Sequence, residues 1–195
     1  MARRAEIERT TAETRVKLAL DLDGAGAHRI QTGVGFLDHM LTHVAVHGLV
    51  DLEVEARGDL HVDAHHTVED VGICLGQALA RALGDRRGLE RFGEAVVPMD
   101  EALAQVALDL SGRAHLSYDD GIPLGKVGDL DTELFREFFE ALVRNAGVTL
   151  HVRVLAGRNN HHRIEAVFKA FGRALRRAAS PDPRRAGVPS TKGSL

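Results

Sequence analysis

Two pentapeptides of this chain nearly repeat one another: His65-His66-Thr67-Val68-Glu69 and His161-His162-Arg163-Ile164-Glu165. Each sets a His and a Glu four residues apart, so on a helix both project from one face. The adjacent histidines diverge by about 100° around the same helix, so one His-His pair suits two different ions better than one. The repetition extends beyond the motifs. Asp21-Leu22-Asp23-Gly24 answers Asp109-Leu110-Ser111-Gly112, the run Phe36 to Gly48 answers Phe135 to Gly147, and Gly58 answers Gly157. Self-similarity of this kind is the mark of a duplicated architecture, and 195 residues suffice for two small, intimately packed halves.

Each half reads as strand, turn, strand, helix, strand, turn, motif, helix. Alternation of apolar and polar residues predicts strands over Arg15–Leu22, Leu49–Ala56, Val106–Leu110 and Thr149–Leu155. Helices are expected over Gly35–His47, Val71–Leu83, Thr132–Asn145 and Arg163–Ala178. The expected fold class is α+β, with internally duplicated βα half-domains packed about a pseudo-twofold axis. The spans are 1–90 and 91–180, followed by a tail, 181–195, that contributes to the substrate site.

Composition narrows the function classes. A net charge of -3 provides no basic field to recruit nucleic acid. The single cysteine, Cys74, cannot form an internal disulfide and reads as a small buried hydrophobe, which points to a reducing compartment. There is no apolar stretch long enough to span a bilayer and no signal-peptide core at the N-terminus, so the cytoplasm is the expected location. No P-loop, cysteine-based zinc module or nucleophile elbow occurs, and Gly33-Val34-Gly35 lacks the dinucleotide-binding spacing.

Eleven histidines remain, and imidazole with carboxylate is a standard ligand set for transition metals. If the halves pack about a twofold axis, one ion can draw on His65, Glu69 and His162 and the other on His66, His161 and Glu165. Each needs a further ligand; His39 offers one in the first half and Glu137 stands near the matching place in the second. His47, two turns beyond His39, can line the same cleft. His28, His43, His61, His115 and His151 are assigned to surface or strand positions. An anion-binding set is also present: Arg91 before Phe92-Gly93, Arg113 after Ser111-Gly112, Lys169, and the tail Pro189-Ser190-Thr191-Lys192-Gly193. Arginines beside glycine turns can present a planar fork to phosphate.

The motifs Arg9-Thr10-Thr11-Ala12-Glu13-Thr14, Phe36-Leu37-Asp38-His39-Met40-Leu41, His65-His66-Thr67-Val68-Glu69-Asp70, Pro98-Met99-Asp100-Glu101, Asp109-Leu110-Ser111-Gly112-Arg113, Asn160-His161-His162-Arg163-Ile164-Glu165-Ala166 and Pro189-Ser190-Thr191-Lys192-Gly193, in this order over essentially the whole chain, closely resemble those of the imidazoleglycerol-phosphate dehydratases. The resemblance is to the monofunctional form of this histidine-biosynthesis family. It implies a fold like domain 2 of ribosomal protein S5, two manganese ions per site, and about 24 subunits built from trimers with sites between them, a closed point-group assembly. The implied metal ligands are His39, His65, His66, Glu69, Glu137, His161, His162 and Glu165, with Glu137 standing where many members carry histidine. The implied substrate and phosphate contacts are Glu13, His39, His47, His65, His66, Arg91, Arg113, Lys169, Ser190 and Lys192. His115 replaces an aromatic residue of many members and receives no role.

The implied reaction is loss of water from imidazole-glycerol phosphate. Its proton lies on a carbon without a neighbouring carbonyl, and hydroxide leaves poorly. Metal coordination can make the substrate ring electron-rich enough to expel the hydroxyl, after which a carboxylate can take the acidified proton. Glu13, with Glu69 and Glu165 beside the metals, forms the catalytic carboxylate set; Glu13 is the expected base, with a metal-bound water, Asp100 or Glu101 as alternatives. Two other classes remain, a histidine-rich metal-buffering protein and a two-metal hydrolase of phosphorylated small molecules.

Overall fold

The computed structural model describes residues 3–193; the outermost residues of the first and last predicted spans, 1–2 and 194–195, lie outside the described residues. The first sheet contains β1 (Arg4–Thr10), β2 (Thr14–Asp21), β3 (His28–Gln31) and β4 (Asp51–Gly58), in the order β1-β2-β4-β3. The second contains β5 (Phe92–Met99), β6 (Ala102–Asp109), β7 (His115–Asp119) and β10 (Thr149–Ala156), in the order β5-β6-β10-β7. Each sheet has two antiparallel pairs and one parallel pair, at β3–β4 and β7–β10. A small antiparallel pair, β8 (Lys126–Val127) with β9 (Leu130–Asp131), stands apart.

Period-two patterning turns Val16, Leu18 and Leu20 of β2, Leu52 and Val54 of β4, and Val106 and Leu108 of β6 onto one buried face. Four helices cover these faces: α1 (Gly35–Gly48), α2 (His65–Leu83), α3 (Leu134–Ala146) and α4 (Asn160–Ala179). Helix α2 lies along β1 and β2 and pairs with α3, while α4 lies along β5 and β6 and pairs with α1. A single apolar cluster runs through both sheets and all four helices, with Phe135, Phe138, Phe139, Phe168 and Phe171 fully buried within it. Cys74 is buried there too.

The duplication is visible in the register. Arg4 faces Asp21 and Phe92 faces Asp109, so β1–β2 and β5–β6 repeat at a shift of 88 residues. The segment containing β8 and β9 inserts ten residues into the second half, and β4 and β10 repeat at 98: Asp51 faces Asp21 and Thr149 faces Asp109. A bulge between Val154 and Ala156 adds one more, which brings Gly58 opposite Gly157 as the sequence overlay has it. The loop before α2 is then three residues longer than the loop before α4, and the histidine motifs repeat at 96.

The helix overlay needs a one-residue correction. Pairing Phe36 with Phe135 assumes that Gly48 and Gly147 are equivalent helix ends. The left-handed cap of α1 is in fact Leu49, at φ 49°, bonded to Ala45 O; that of α3 is Gly147, at φ 61°, bonded to Val143 O. The true shift is therefore 98, and Glu137 occupies in α3 the place His39 occupies in α1. Gly48 serves another purpose: a Cβ there would lie 3.3 Å from Gly172 O, so the glycine lets α1 and α4 cross at close range.

The remaining differences are of extent. Helices α2 and α4 begin at the histidine motifs themselves rather than at Val71 and Arg163. Strands β1, β3, β5 and β7, to which the sequence reading gives no residue range, complete the sheets; the sheet of each half has four strands rather than the three expected. Among the described residues no helix is long and apolar enough to cross a membrane.

Candidate active site

Both histidine motifs open a helix, and an Asx side chain two residues upstream fixes each start. The His65 N–H donates to Asp63 Oδ1 at 2.7 Å, and the His161 N–H donates to Asn159 Oδ1 at 2.9 Å. The two His-His pairs adopt the same geometry, with ring centroids 6.0 Å apart and planes at 83°. In α4 the expected four-residue pairing is made: His161 Nε2 lies 3.1 Å from Glu165 Oε2.

Helix α1 meets α4 with Phe36 on His161, centroids 4.9 Å apart, and Gly48 on Gly172. Between these contacts His39 Nε2 approaches Glu165 Oε2 to 3.3 Å, and His43 Nε2 stands 3.4 Å from Glu165 Oε1 and 3.3 Å from His39 Nε2. Lys169 Nζ closes the group 2.5 Å from Glu165 Oε1, and His47 stacks on His43 with centroids 5.6 Å apart. Burial raises the affinity of Glu165 for a proton, but Lys169, His43 and His39 outweigh it and hold the carboxyl at about 2. Burial pushes His43 down to about 4 and also lowers His47, so these imidazoles favour the neutral, lone-pair-bearing form. One atom each from His39, His43 and Glu165 lies within 4.8 Å of the others, close enough to share a cation.

The first motif has different neighbours. His66 Nδ1 lies 3.0 Å from Asp59 Oδ2, and its Nε2 faces Glu13 Oε2 at 3.8 Å. Glu13 sits on the β1–β2 turn, where its N–H and that of Thr14 donate to Thr11 Oγ1. The turn is tied to α2 by the buried Asp70, which accepts from Arg9 Nε at 2.8 Å and from the Thr14 hydroxyl. The Arg9-to-Thr14 motif is thus a mount for Glu13. In the second half His162 Nδ1 lies 2.7 Å from Glu101 Oε2, while Glu101 Oε1 accepts the N–H groups of Arg158 and Asn159. The His162 bond, then those backbone donors, lower the Glu101 carboxyl to about 2.

The crossed ligand sets of His65, Glu69 and His162, and of His66, His161 and Glu165, do not form within one protomer. Among the described residues no hydrogen bond, ion pair or ring contact joins the first motif to the second. The reason is packing: α2 is paired with α3, and α4 with α1, so the two helices that carry the motifs are not partners. Among the described residues the first motif bonds to Asp63, Asp59 and Glu13 and not to Glu137.

The anion-binding residues divide as well. Lys169 and His47 adjoin the histidine cluster. Arg91 instead grips Asp109 at 2.7 and 3.0 Å and the Pro189 carbonyl at 2.7 Å, near the far end of α4, where its N–H donates to Ala178 O. Glu165 and Ala178 are thirteen residues apart, about 20 Å along a helix. Ser190, which accepts the Lys192 N–H, and Lys192 lie with the tail at that end. Arg113 is exposed on the turn after β6, its guanidinium bonded to Ser111 O.

A family model described as imidazoleglycerol-phosphate dehydratase matches residues 32–175. The imidazoleglycerol-phosphate dehydratase of Parasynechococcus marenigrum is 62% identical over 196 residues, covering 100% of this chain and 97% of the relative; that of Moorella thermoacetica is 57% identical, with both chains covered completely. The chain belongs to the imidazoleglycerol-phosphate dehydratase family. Solved dehydratases share its fold. The Staphylococcus aureus crystal structure superposes with a TM-score of 0.83 at 43% identity, covering 91% of this chain and 99% of that one. The Pyrococcus furiosus structure, in complex with (S)-C348, gives 0.84 at 38% identity, covering 97% and 100%.

The protein is accordingly a hydro-lyase of histidine biosynthesis acting on a small molecule, which sets aside the metal-buffering and hydrolase readings. Two residues of the site, His43 and Asp59, lie outside every motif quoted above. His43 is no surface residue: its side chain is 15% exposed and touches Glu165. Its position one helical turn after His39 was the available signal. Asp59 carried no signal, because its partner His66 is reached only through the loop conformation.

Proposed function

We propose that the reaction is the manganese-dependent elimination of water from D-erythro-imidazole-glycerol phosphate to imidazole-acetol phosphate. The observation that carries this reading is a buried carboxylate, Glu165, ringed by the imidazoles of His39, His43 and His161. This donor set fits a borderline divalent cation. Residues that would hold two such ions are His39, His65, His66, Glu69, Glu137, His161, His162 and Glu165. When bound, the ions supply Lewis acidity toward the substrate's imidazole ring and hydroxyls.

The chain's own groups divide the remaining work. Glu13 is the base that takes the proton from carbon; its side chain is 54% exposed and, among the described residues, held by no hydrogen bond, so it is free to meet a substrate. Glu101 is already occupied through both oxygens, and this argues against it as the base. Lys169 and His47 offer positive charge and N–H donors beside the cluster, while Ser190 and Lys192 offer them with the tail at the far end of α4, about 20 Å along the helix, and Arg113 on the turn after β6. One substrate cannot span that separation within a protomer. We therefore place the complete site between copies; the family resemblance implies that these are about 24 subunits assembled from trimers, and the cytoplasm is the proposed location.

Replacing Glu13 by Gln tests the assignment. Metal content and substrate affinity should persist while turnover falls by about 10²–10⁴-fold, the usual contribution of a general base; undiminished turnover removes Glu13 from the mechanism. Sedimentation with and without chelator, paired with metal analysis, tests the assembly and the ions together. A well-folded preparation that binds no divalent ion would defeat the metal-centred reading.

A further inference from the structure

The duplication makes Glu13 and Glu101 equivalent. At the 88-residue shift of β1–β2 onto β5–β6, Glu13 on the first hairpin turn falls on Glu101 on the second. Their partners, His66 and His162, are equivalent at the 96-residue shift of α2 onto α4. Yet the two carboxylates are used differently. Glu101 binds Nδ1 of its histidine at 2.7 Å, whereas Glu13 stands 3.8 Å from Nε2 of its own. In the first half the Nδ1 position is filled by Asp59, at 3.0 Å. Asp59 belongs to the loop between β4 and α2, which is three residues longer than its counterpart between β10 and α4.

We propose that Asp59 and Glu101 are positioning residues that hold His66 and His162 as Nδ1–H tautomers with Nε2 turned outward as a metal ligand, and that the longer first-half loop, by supplying Asp59, frees Glu13 for the substrate. The inference rests on the metal-centred reading above. A carboxylate behind a ligating imidazole fixes the ring's tautomer and orientation and raises its basicity, and its loss costs about 10–100-fold in metal affinity. The two halves thus reach the same end from different places in the fold. One copy of an ancestral hairpin carboxylate supports a ligand, and the other is released to do chemistry.

The bonding of Glu101 permits a sharp test. Its Oε1 accepts both backbone N–H groups and its Oε2 faces the imidazole. In Glu101→Gln the carbonyl can keep the backbone bonds while the amide NH₂ takes the Oε2 position. The amide then donates to Nδ1 and forces the proton onto Nε2, the atom meant to bind metal. Both oxygens of Asp59 face His66 Nδ1, at 3.2 and 3.0 Å, with no backbone donor among the described residues to orient an amide, so the matching test there is Asp59→Ala, which removes the acceptor. The assembled enzyme, stripped with chelator, would be titrated with manganese while free ion is followed by electron paramagnetic resonance.

Each single variant should weaken one of the two ions by about 10–100-fold, and the double variant both, while the melting temperature of the metal-free protein falls only by what the loss of a charge-assisted bond entails. Glu13→Gln should hold both ions as wild type does. Turnover of Glu101→Gln should recover at saturating manganese, which loss of a general base would not allow. Wild-type manganese affinity in both single variants overturns the positioning role and leaves the metal reading standing. Equal loss of metal affinity and of metal-free stability overturns it in favour of a structural role. A wild-type enzyme that binds no manganese overturns both.

Discussion

The closeness of α1 to α4 is what holds His39 and His43 against Glu165, and Gly172→Ala probes it directly. A Cβ at this position would stand 3.0 Å from Gly48 N, 3.0 Å from Val44 O and 3.3 Å from His43 O, all backbone atoms of α1 that cannot swing aside. Nonbonded carbon contacts settle at about 3.5 Å or more, so the helices must part by about half an ångström. Overpacking of this kind costs about 1–3 kcal/mol, and alanine returns about 1 kcal/mol through its better helix propensity. The net loss is then about 1 kcal/mol, or about 3 °C in Tm for a chain of this length. The same displacement carries His39 Nε2 from 3.3 Å to about 3.8 Å from Glu165, the scale at which a preorganised site begins to fail. Manganese affinity should fall about tenfold, the lower end of what lost ligand support costs. Thermal melts of chelated protein and a manganese titration read the two effects, with Gly187→Ala, whose Cβ would enter open space, as the control. A variant as stable as wild type, binding manganese equally well, would refute the claim that this helix crossing sets the site.

Two other perturbations separate competing roles. Arg91→Ala leaves the half-buried Asp109 without its cation and releases the Pro189 carbonyl; it should cost about 3 kcal/mol, and trypsin should cut the tail at Arg184 or Arg185 sooner. A raised KM with stability and proteolysis unchanged would instead return Arg91 to the phosphate grip. Asp51 accepts the N–H groups of Ala25, Gly26 and Ala27 at 2.8–3.1 Å, bonds that hold its carboxyl below the usual 3.8. Its contribution to stability should be full above pH 3.8 and disappear as the pH falls through the lower folded value. The Tm difference between wild type and Asp51→Asn should therefore shrink on acidification from pH 5 to 3; a constant difference would show that those bonds do not depend on the charge.

The sequence alone determined the repeat, the α+β class, the four helices, the two central strands of each sheet, and the family. These follow from local periodicity, glycine placement and motif order, which need no knowledge of distant contacts. The helix overlay failed by one residue because Gly48 and Gly147 look alike in a sequence, although the former serves a helix crossing and the latter a left-handed cap. Only the tertiary structure decided that His43 joins His39 at Glu165, that Arg91 is committed to Asp109 and the tail, and that the two motifs do not meet within a protomer. Only it showed that Asp59 and Glu101, far apart along the chain and alike in nothing but charge, sit behind equivalent histidines. Such relations depend on how helices cross and how long loops run. Packing sets those distances, and no local pattern of residue types encodes them.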